Sequence, residues 1–379
     1  MKKAFLLAGL WSLAVWIIPL HSFRLQTIFG LGCFSLYMAH ILSKRFHPVV
    51  GISFFYFSFH SIIRFIFPQF FWSDFELSEV VGFESLVSEA YIYMLSFAVL
   101  FLFVRKKDFI FLEYLFIGFA AIDAAVLLFK CLRPYDAGDL AQTPWFLFNN
   151  SAIDSSFIAC CLPFVHKHLS KRFFRLSYFA IISLFIAPCI LTKTASGVLG
   201  IGLFLSFTFW NSYQRSIKDL PAMISVGGIV AWIGYFLQSD ALFDGSGRFA
   251  IWKLALSYWR QYHMMVGTGL GTFQMYGPAL QLAEIAAAGK GGSPVAGFTW
   301  LHNDLLQILF ESGLIGLLLA MAVFAITARR AWRDPTVFTS LMIFVSLSFI
   351  QMPLRWFVFT LLGAFLVAHS LNTSEKYNA

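Results

Sequence analysis

The sequence predicts an all-α polytopic membrane protein with about twelve transmembrane helices and one large polar loop on the outer side, and three observations predict it. Of 379 residues, 59% are hydrophobic and 12% charged, about half the charge of an average soluble domain, so most of the chain cannot face water. Apolar runs recur at about the 20-residue length that an α-helix needs to cross a bilayer. Lys and Arg gather in alternate connections between those runs, which is how membrane topology is written. The 47 Phe, 11 Trp and 13 Tyr suit hydrocarbon and interfacial belts; on a soluble surface they would drive aggregation.

Taken in order, Met1–Leu20 places Lys2 and Lys3 before an apolar stretch, as a signal peptide does. No A-x-A cleavage site follows, so it reads as an uncleaved first span near 4–20. Further spans fall near 25–43, 49–67, 86–104, 109–131, 150–166, 175–192, 194–212, 221–238, 305–328, 336–351 and 356–371. The basic groups Lys2/Lys3, Lys44/Arg45, Arg105/Lys106/Lys107, Lys167/Lys171/Arg172/Arg175, Arg215/Lys218, Arg329/Arg330/Arg333 and Lys376 then share one side. By the positive-inside rule that side is cytoplasmic and holds both termini. Topology therefore explains the net charge of +8: membrane lipids are the implied partner and nucleic acid is not. The whole of 1–379 reads as a single transmembrane domain, with the loop 239–303 inside it.

The outer side carries stretches near 68–85, 132–149 and 239–303. In the last, Gly247–His263 has helical periodicity, with Ser246 as a cap and Trp252, Leu256, Trp259 and Tyr262 on one apolar face. Such a face suits a helix lying at the membrane surface, or one packed on neighbouring helices. Residues 286–297 are Gly-rich enough for a flap.

Several residues here have the chemistry of a site. His302, in Trp300-Leu301-His302-Asn303-Asp304, stands where the loop re-enters the membrane. An imidazole titrates near neutrality and can take a proton from a hydroxyl, with Asn303 or Asp304 orienting it or a substrate; the plain alternative is a helix-capping histidine. Arg248 follows Gly245-Ser246-Gly247, joining a guanidinium fork to a helix N-terminus, which suits a diphosphate; snorkelling to lipid phosphates is the alternative. Gly267 and Gly269, in Gly-Thr-Gly-Leu-Gly, allow close backbone approach to a ligand, yet no strand or Lys-Ser/Thr makes this a nucleotide loop, and the plain alternative is a tight turn linking the surface helix to the flap. Lys193, Arg64, His60 and Arg133 could each add positive charge on the outer side, or be paired structurally.

Glu113, Asp123 and Asp154 are acids within spans, with Asp123 and Asp154 read as lying midway along adjacent ones; structural pairing is the plain reading of Asp123 and Asp154, and they raise a transporter or flippase as a rival. The five cysteines have neither C-x-x-C nor metal-ligand spacing, and there is no H-E-x-x-H, so no metal and no cofactor are expected.

Three strings together resemble the bacterial O-antigen ligase and O-antigen polymerase superfamily. Leu191-Thr192-Lys193-Thr194-Ala195-Ser196-Gly197 is similar to its Leu-Thr-x-Ser-Arg-x-Gly helix entry. Arg248 to Trp252 followed by Gly267 to Phe273 resembles its Arg-x-x-Ile-Trp helix and Gly-x-Gly-x-Gly-x-Phe turn. His302-Asn303, nine residues, then Gly313-Leu314-Ile315-Gly316 resembles its His-Asn-x9-Gly-x-x-Gly signature. The resemblance covers roughly 140–330. It implies a GT-C-like fold with short surface helices in a periplasmic loop, in the bacterial inner membrane. The implied reaction transfers a glycan from undecaprenyl diphosphate, the lipid carrier, to an acceptor hydroxyl on a lipid A-core sugar; a polymerase joining lipid-linked repeats would look much the same. The resemblance gives His302 the role of base or acceptor positioner and Arg248 that of diphosphate binder. Where the family commonly has arginine this chain has Lys193 or Ala195; lysine keeps the charge and loses the bidentate fork.

Overall fold

The computed structural model describes residues 47–66, 88–102, 106–132, 151–170, 175–192, 194–212, 248–261, 264–269, 272–273, 301–351 and 353–373. Among them every regular element is helical. Each predicted apolar run that falls on these residues is a helix whose ends lie within three residues of expectation; the runs at 4–20, 25–43 and 221–238 lie outside the described residues, as does Cys33. By length and composition Phe109–Cys131 and Asp304–Ala331 are long and apolar enough to cross a membrane, and shorter apolar helices include Pro48–His60, Ser177–Leu191, Ser196–Asn211, Pro335–Ser348 and Val358–Asn372.

The chain divides into two compact units, one from residues up to 104 with 247–326, the other from 105–246 with 327–379. In the first unit, α1 (Pro48–Ile66) and α2 (Ser88–Leu102) pack through Phe57 and Tyr91, whose ring centroids are 4.7 Å apart. The buried Tyr91 hydroxyl lies 3.3 Å from Ser53 Oγ, which meets its need for a partner inside an apolar interface. Ile52, Phe55 and Phe59 repeat along the other side of α1 and are exposed, as a lipid-facing stripe should be. The same unit holds α7 (Arg248–Gln261) and most of α8 (Asp304–Ala331).

The second unit is built around α4 (Ser151–Leu169), buried without a break from Ile153 to Val165. A helix apolar all round has to be surrounded, and α3 (Lys106–Leu132), α5 (Arg175–Leu191), α6 (Ala195–Ser212) and α9 (Pro335–Ser348) surround it. Small residues set the approach: a Cβ on Gly200 of α6 would strike the Ala159 methyl of α4. Ser340 Oγ donates to the Cys160 carbonyl at 2.7 Å and ties α9 in. Asp334 caps α9 by accepting from the Thr336 and Val337 N–H groups, with Pro335 in the first turn. The 3-10 turn Pro353–Arg355 leads into α10 (Phe357–Thr373).

Two expectations about acids change here. Glu113 is 1% exposed and Lys167 Nζ donates to both its oxygens at 2.8 and 2.9 Å, with His168 Nε2 2.7 Å from Oε2; it is an ion-paired joint between α3 and α4, which accounts for its burial without a relay. Asp154 lies in the first turn of α4, where a carboxylate complements the helix dipole, and not midway along a span. Asp123 does lie well inside α3, buried, and neither of its oxygens has a hydrogen-bond partner among the described residues. Cys160, Cys161 and Cys189 are buried free thiols, and Cys131 is exposed.

Candidate active site

The long α8 is not continuous. At Gly313 the backbone has φ 70° and ψ −171°, which breaks the hydrogen-bond ladder and leaves N–H and C=O groups without helical partners inside an apolar segment. Other groups take them over. Residues 264–269 lie alongside the break: the Thr268 and Gly269 N–H groups donate to the Phe310 and Glu311 carbonyls at 3.0 and 2.9 Å, and the Leu314 and Ile315 N–H groups donate to Met264 and Met265 at 3.0 and 3.1 Å. The Ser312 carbonyl accepts from the Tyr56 hydroxyl of α1 at 2.7 Å. His60 Nε2 is 2.6 Å from the Val266 carbonyl, which can only accept, so Nε2 is the donor.

This pairing requires glycine at two points. A Cβ on Gly267 would collide with backbone atoms of Glu311 and Gly313, and one on Gly313 with the Met265 carbonyl and Gly267 N; both residues also have φ above +70° or equal to it. Gly267 through its missing Cβ, and Gly269 through its N–H, thus approach a second stretch of backbone. Thr268 and Thr272 are buried with their hydroxyls 2.6 Å apart, closing the turn.

α7 starts at Arg248, as the periodicity predicts within a residue; the proposed cap Ser246 lies outside the described residues. Its buried positions are Ile251, Ala255 and Trp259, packed with Leu301, Leu309, Phe310 and Phe273. Leu256, assigned to the apolar face, is instead exposed beside Lys253, Ser257 and Arg260, because the face that packs is turned toward the head of α8. Both tryptophans use their indole N–H groups: Trp259 donates to the Met264 carbonyl at 3.1 Å and Trp252 to the Leu301 carbonyl at 2.6 Å. The tryptophan stripe is therefore a packing face.

Between Leu301 and α8 stands His302, the only non-glycine residue with positive φ among those described, at 51°. Left-handed backbone costs an ordinary L-residue about 1–2 kcal/mol and is kept only where the surroundings impose it. His302 is half-buried. Asn303 caps α8: its Oδ1 accepts from the Leu306 N–H at 2.9 Å and its carbonyl from Gln307 N at 3.0 Å. Below it on the buried side of α8, Gln307 Nε2 donates to Glu311 Oε1 at 3.1 Å, and Asp304, Gln307 and Glu311 are each fully buried. Gln307 and Glu311 were not singled out in the sequence, although an acid and an amide four apart in an apolar run are the signal that could have found them.

The structure therefore brings His302, Asn303, Gly267, Gly269 and the helix begun by Arg248 into one unit. Arg64 falls on α1 and Arg248 opens α7, with side chains outside the described residues. Lys193 and Arg133 lie outside them altogether. The residues flanking Lys193 are tightly held: Ser155 Oγ is 3.0 Å from Thr192 Oγ1, Ser196 Oγ donates to Ala152 O at 3.0 Å, and a Cβ on Gly197 would lie 2.7 Å from Ser155 Cβ. No group of three or more His, Cys, Asp or Glu among the described residues is arranged for a metal.

Residues 157–321 match the O-antigen ligase family. The matched stretch contains all three strings read from the sequence, including His302-Asn303 and Gly313. It supports the O-antigen ligase and polymerase superfamily, whose members are integral membrane, glycosyltransferase-like enzymes that use lipid-linked glycans. A search among curated proteins finds no match.

Proposed function

We propose that this chain is a glycosyltransferase of the O-antigen ligase type, moving a glycan from undecaprenyl diphosphate to a hydroxyl of a lipid A-core sugar at the periplasmic face of the bacterial inner membrane. In this reading twelve spans place both termini in the cytoplasm, and the loop 239–303 covers the site from the periplasm. The observation that carries it is His302: a half-buried imidazole on left-handed backbone at the head of a capped span, inside the stretch that matches the family.

The acceptor oxygen attacks the anomeric carbon of the donor and its proton passes to His302 as the new C–O bond forms. The bond from that carbon to the diphosphate oxygen breaks, and the electron pair leaves on undecaprenyl diphosphate. Arg248 binds that diphosphate through the fork and helix N-terminus, while Arg64 adds positive charge as charge builds on the leaving group. Asn303 serves by fixing the helix start that carries His302. Gly267 and Gly269 serve the site through the break in α8 rather than by touching sugar. As written, the step uses neither a metal nor a nucleotide.

The test is His302→Ala and Arg248→Ala in cells, read on a gel of surface polysaccharide. Loss of the polymer ladder from lipid A-core while lipid-linked polymer accumulates supports a ligase. Core carrying a single repeat supports the polymerase of the same superfamily. Wild-type ladders from both variants sink the enzymatic reading.

A further inference from the structure

We propose that Trp252 is a positioning residue for His302, acting through the Leu301 carbonyl; this rests on the role of His302 proposed above. The Leu301 C=O and the His302 N–H belong to one peptide plane. The indole N–H of Trp252 holds that carbonyl at 2.6 Å, so it fixes the plane about which φ of His302 is measured. On the other side, the Asn303 carbonyl accepts from Gln307 N at 3.0 Å and its side chain from Leu306 N at 2.9 Å, which fixes the next turn of chain. His302 is bracketed by these two restraints, and its φ of 51° is the result. The direction of its Cα–Cβ bond, and hence where the imidazole points, follows from that dihedral.

The restraint has the right strength and location. Left-handed backbone is uncommon at a non-glycine residue, and its cost is of the same order as the net contribution of one well-made hydrogen bond. Leu301 is 1% exposed, so without the indole its carbonyl would have no ready access to water. Removing the N–H frees the plane and lets His302 relax toward ordinary φ, swinging the ring away. Trp259 provides an internal control: it lies two turns further along α7 and its N–H holds Met264, away from the His302 peptide.

The experiment uses the full chain reconstituted in nanodiscs, with an undecaprenyl-diphosphate-linked oligosaccharide as donor and a lipid A-core acceptor. Trp252→Phe keeps the ring and deletes the donor. The expected result is a fall in kcat of about 10- to 100-fold at unchanged donor KM and unchanged melting temperature. Trp252→His, which keeps a ring N–H, should recover part of the rate, and Trp259→Phe should lose far less. Combined with His302→Ala, the Phe substitution should cause no additional loss, since it acts through the imidazole already removed. The proposal is overturned if Trp252→Phe transfers at the wild-type rate, if Trp259→Phe falls equally, or if the two losses multiply. Should Trp252→Phe not fold, benzothienylalanine in place of Trp252, which keeps the bicyclic ring and removes only the N–H, decides: a reduced kcat at unchanged KM and unchanged melting temperature supports the proposal, and a wild-type kcat or a loss confined to KM sinks it. A His302→Ala variant with full activity would instead overturn the role of His302 itself, whatever Trp252 does.

Discussion

In the proposed reaction His302 carries two demands at once, a reactive ring and an unusual backbone, and substitutions separate them. Asparagine tolerates the left-handed region, so His302→Asn should melt within a few degrees of wild type while losing transfer by about 10²–10⁴-fold, the range for a general base. A β-branched residue at φ 51° is a true outlier, so His302→Val should lose transfer and also about 1–2 kcal/mol of stability, by the cost of left-handed backbone. Thermal unfolding of detergent-solubilised protein beside a transfer assay checks both; equal melting of the two variants would show that the backbone stores no strain. The sequence made His302-Asn303 legible because polar residues opening an apolar run are conspicuous. It showed Trp252 on an apolar face but not its bond to Leu301, because the carbonyl it holds lies 49 residues further on, beyond any periodicity.

At the scale of elements, the break in α8 is the organising feature, and it was illegible for a plain reason: Asp304–Ala331 is apolar enough to read as one uninterrupted helix. What identifies the break is the pairing of Gly313 with Gly267, two residues far apart in the chain whose missing Cβ atoms let two backbones meet. Gly313→Ala combines a positive φ with a collision against Met265 backbone, which cannot move aside as a flexible side chain would. The expected cost is about 2–3 kcal/mol, read as a lowered melting temperature and a poor folded yield. The pair inside α8 makes a second prediction. Glu311→Gln keeps a hydrogen-bonding partner for Gln307, so folded yield should hold; Glu311→Leu leaves a fully buried amide bare and should cost about 1–3 kcal/mol. Retained yield in both would mean that the Gln307 to Glu311 bond contributes little to the fold.

Across the whole molecule, the two units draw on segments that alternate along the chain, so local patterning predicted the helices and their ends but not which of them would group together. The surroundings of the acids bear on the rival reading of a transporter, whose coupling acids belong near the bilayer midplane. Of the three acids that raised it, Glu113 is held by Lys167 and His168, and Asp154 opens a helix. Asp123 is the one left deep in a span. If the protein works as a glycosyltransferase through His302, Asp123→Asn, which keeps shape and removes ionisation, should leave glycan transfer within about twofold, the scale expected of a substitution that touches neither base nor leaving group. A transporter coupled through that carboxyl would instead lose its activity outright. Comparing Asp123→Asn with His302→Ala in one polysaccharide assay therefore decides between them: loss in the first with wild-type behaviour in the second would abandon the enzyme, and the reverse pattern places the chemistry at the head of α8.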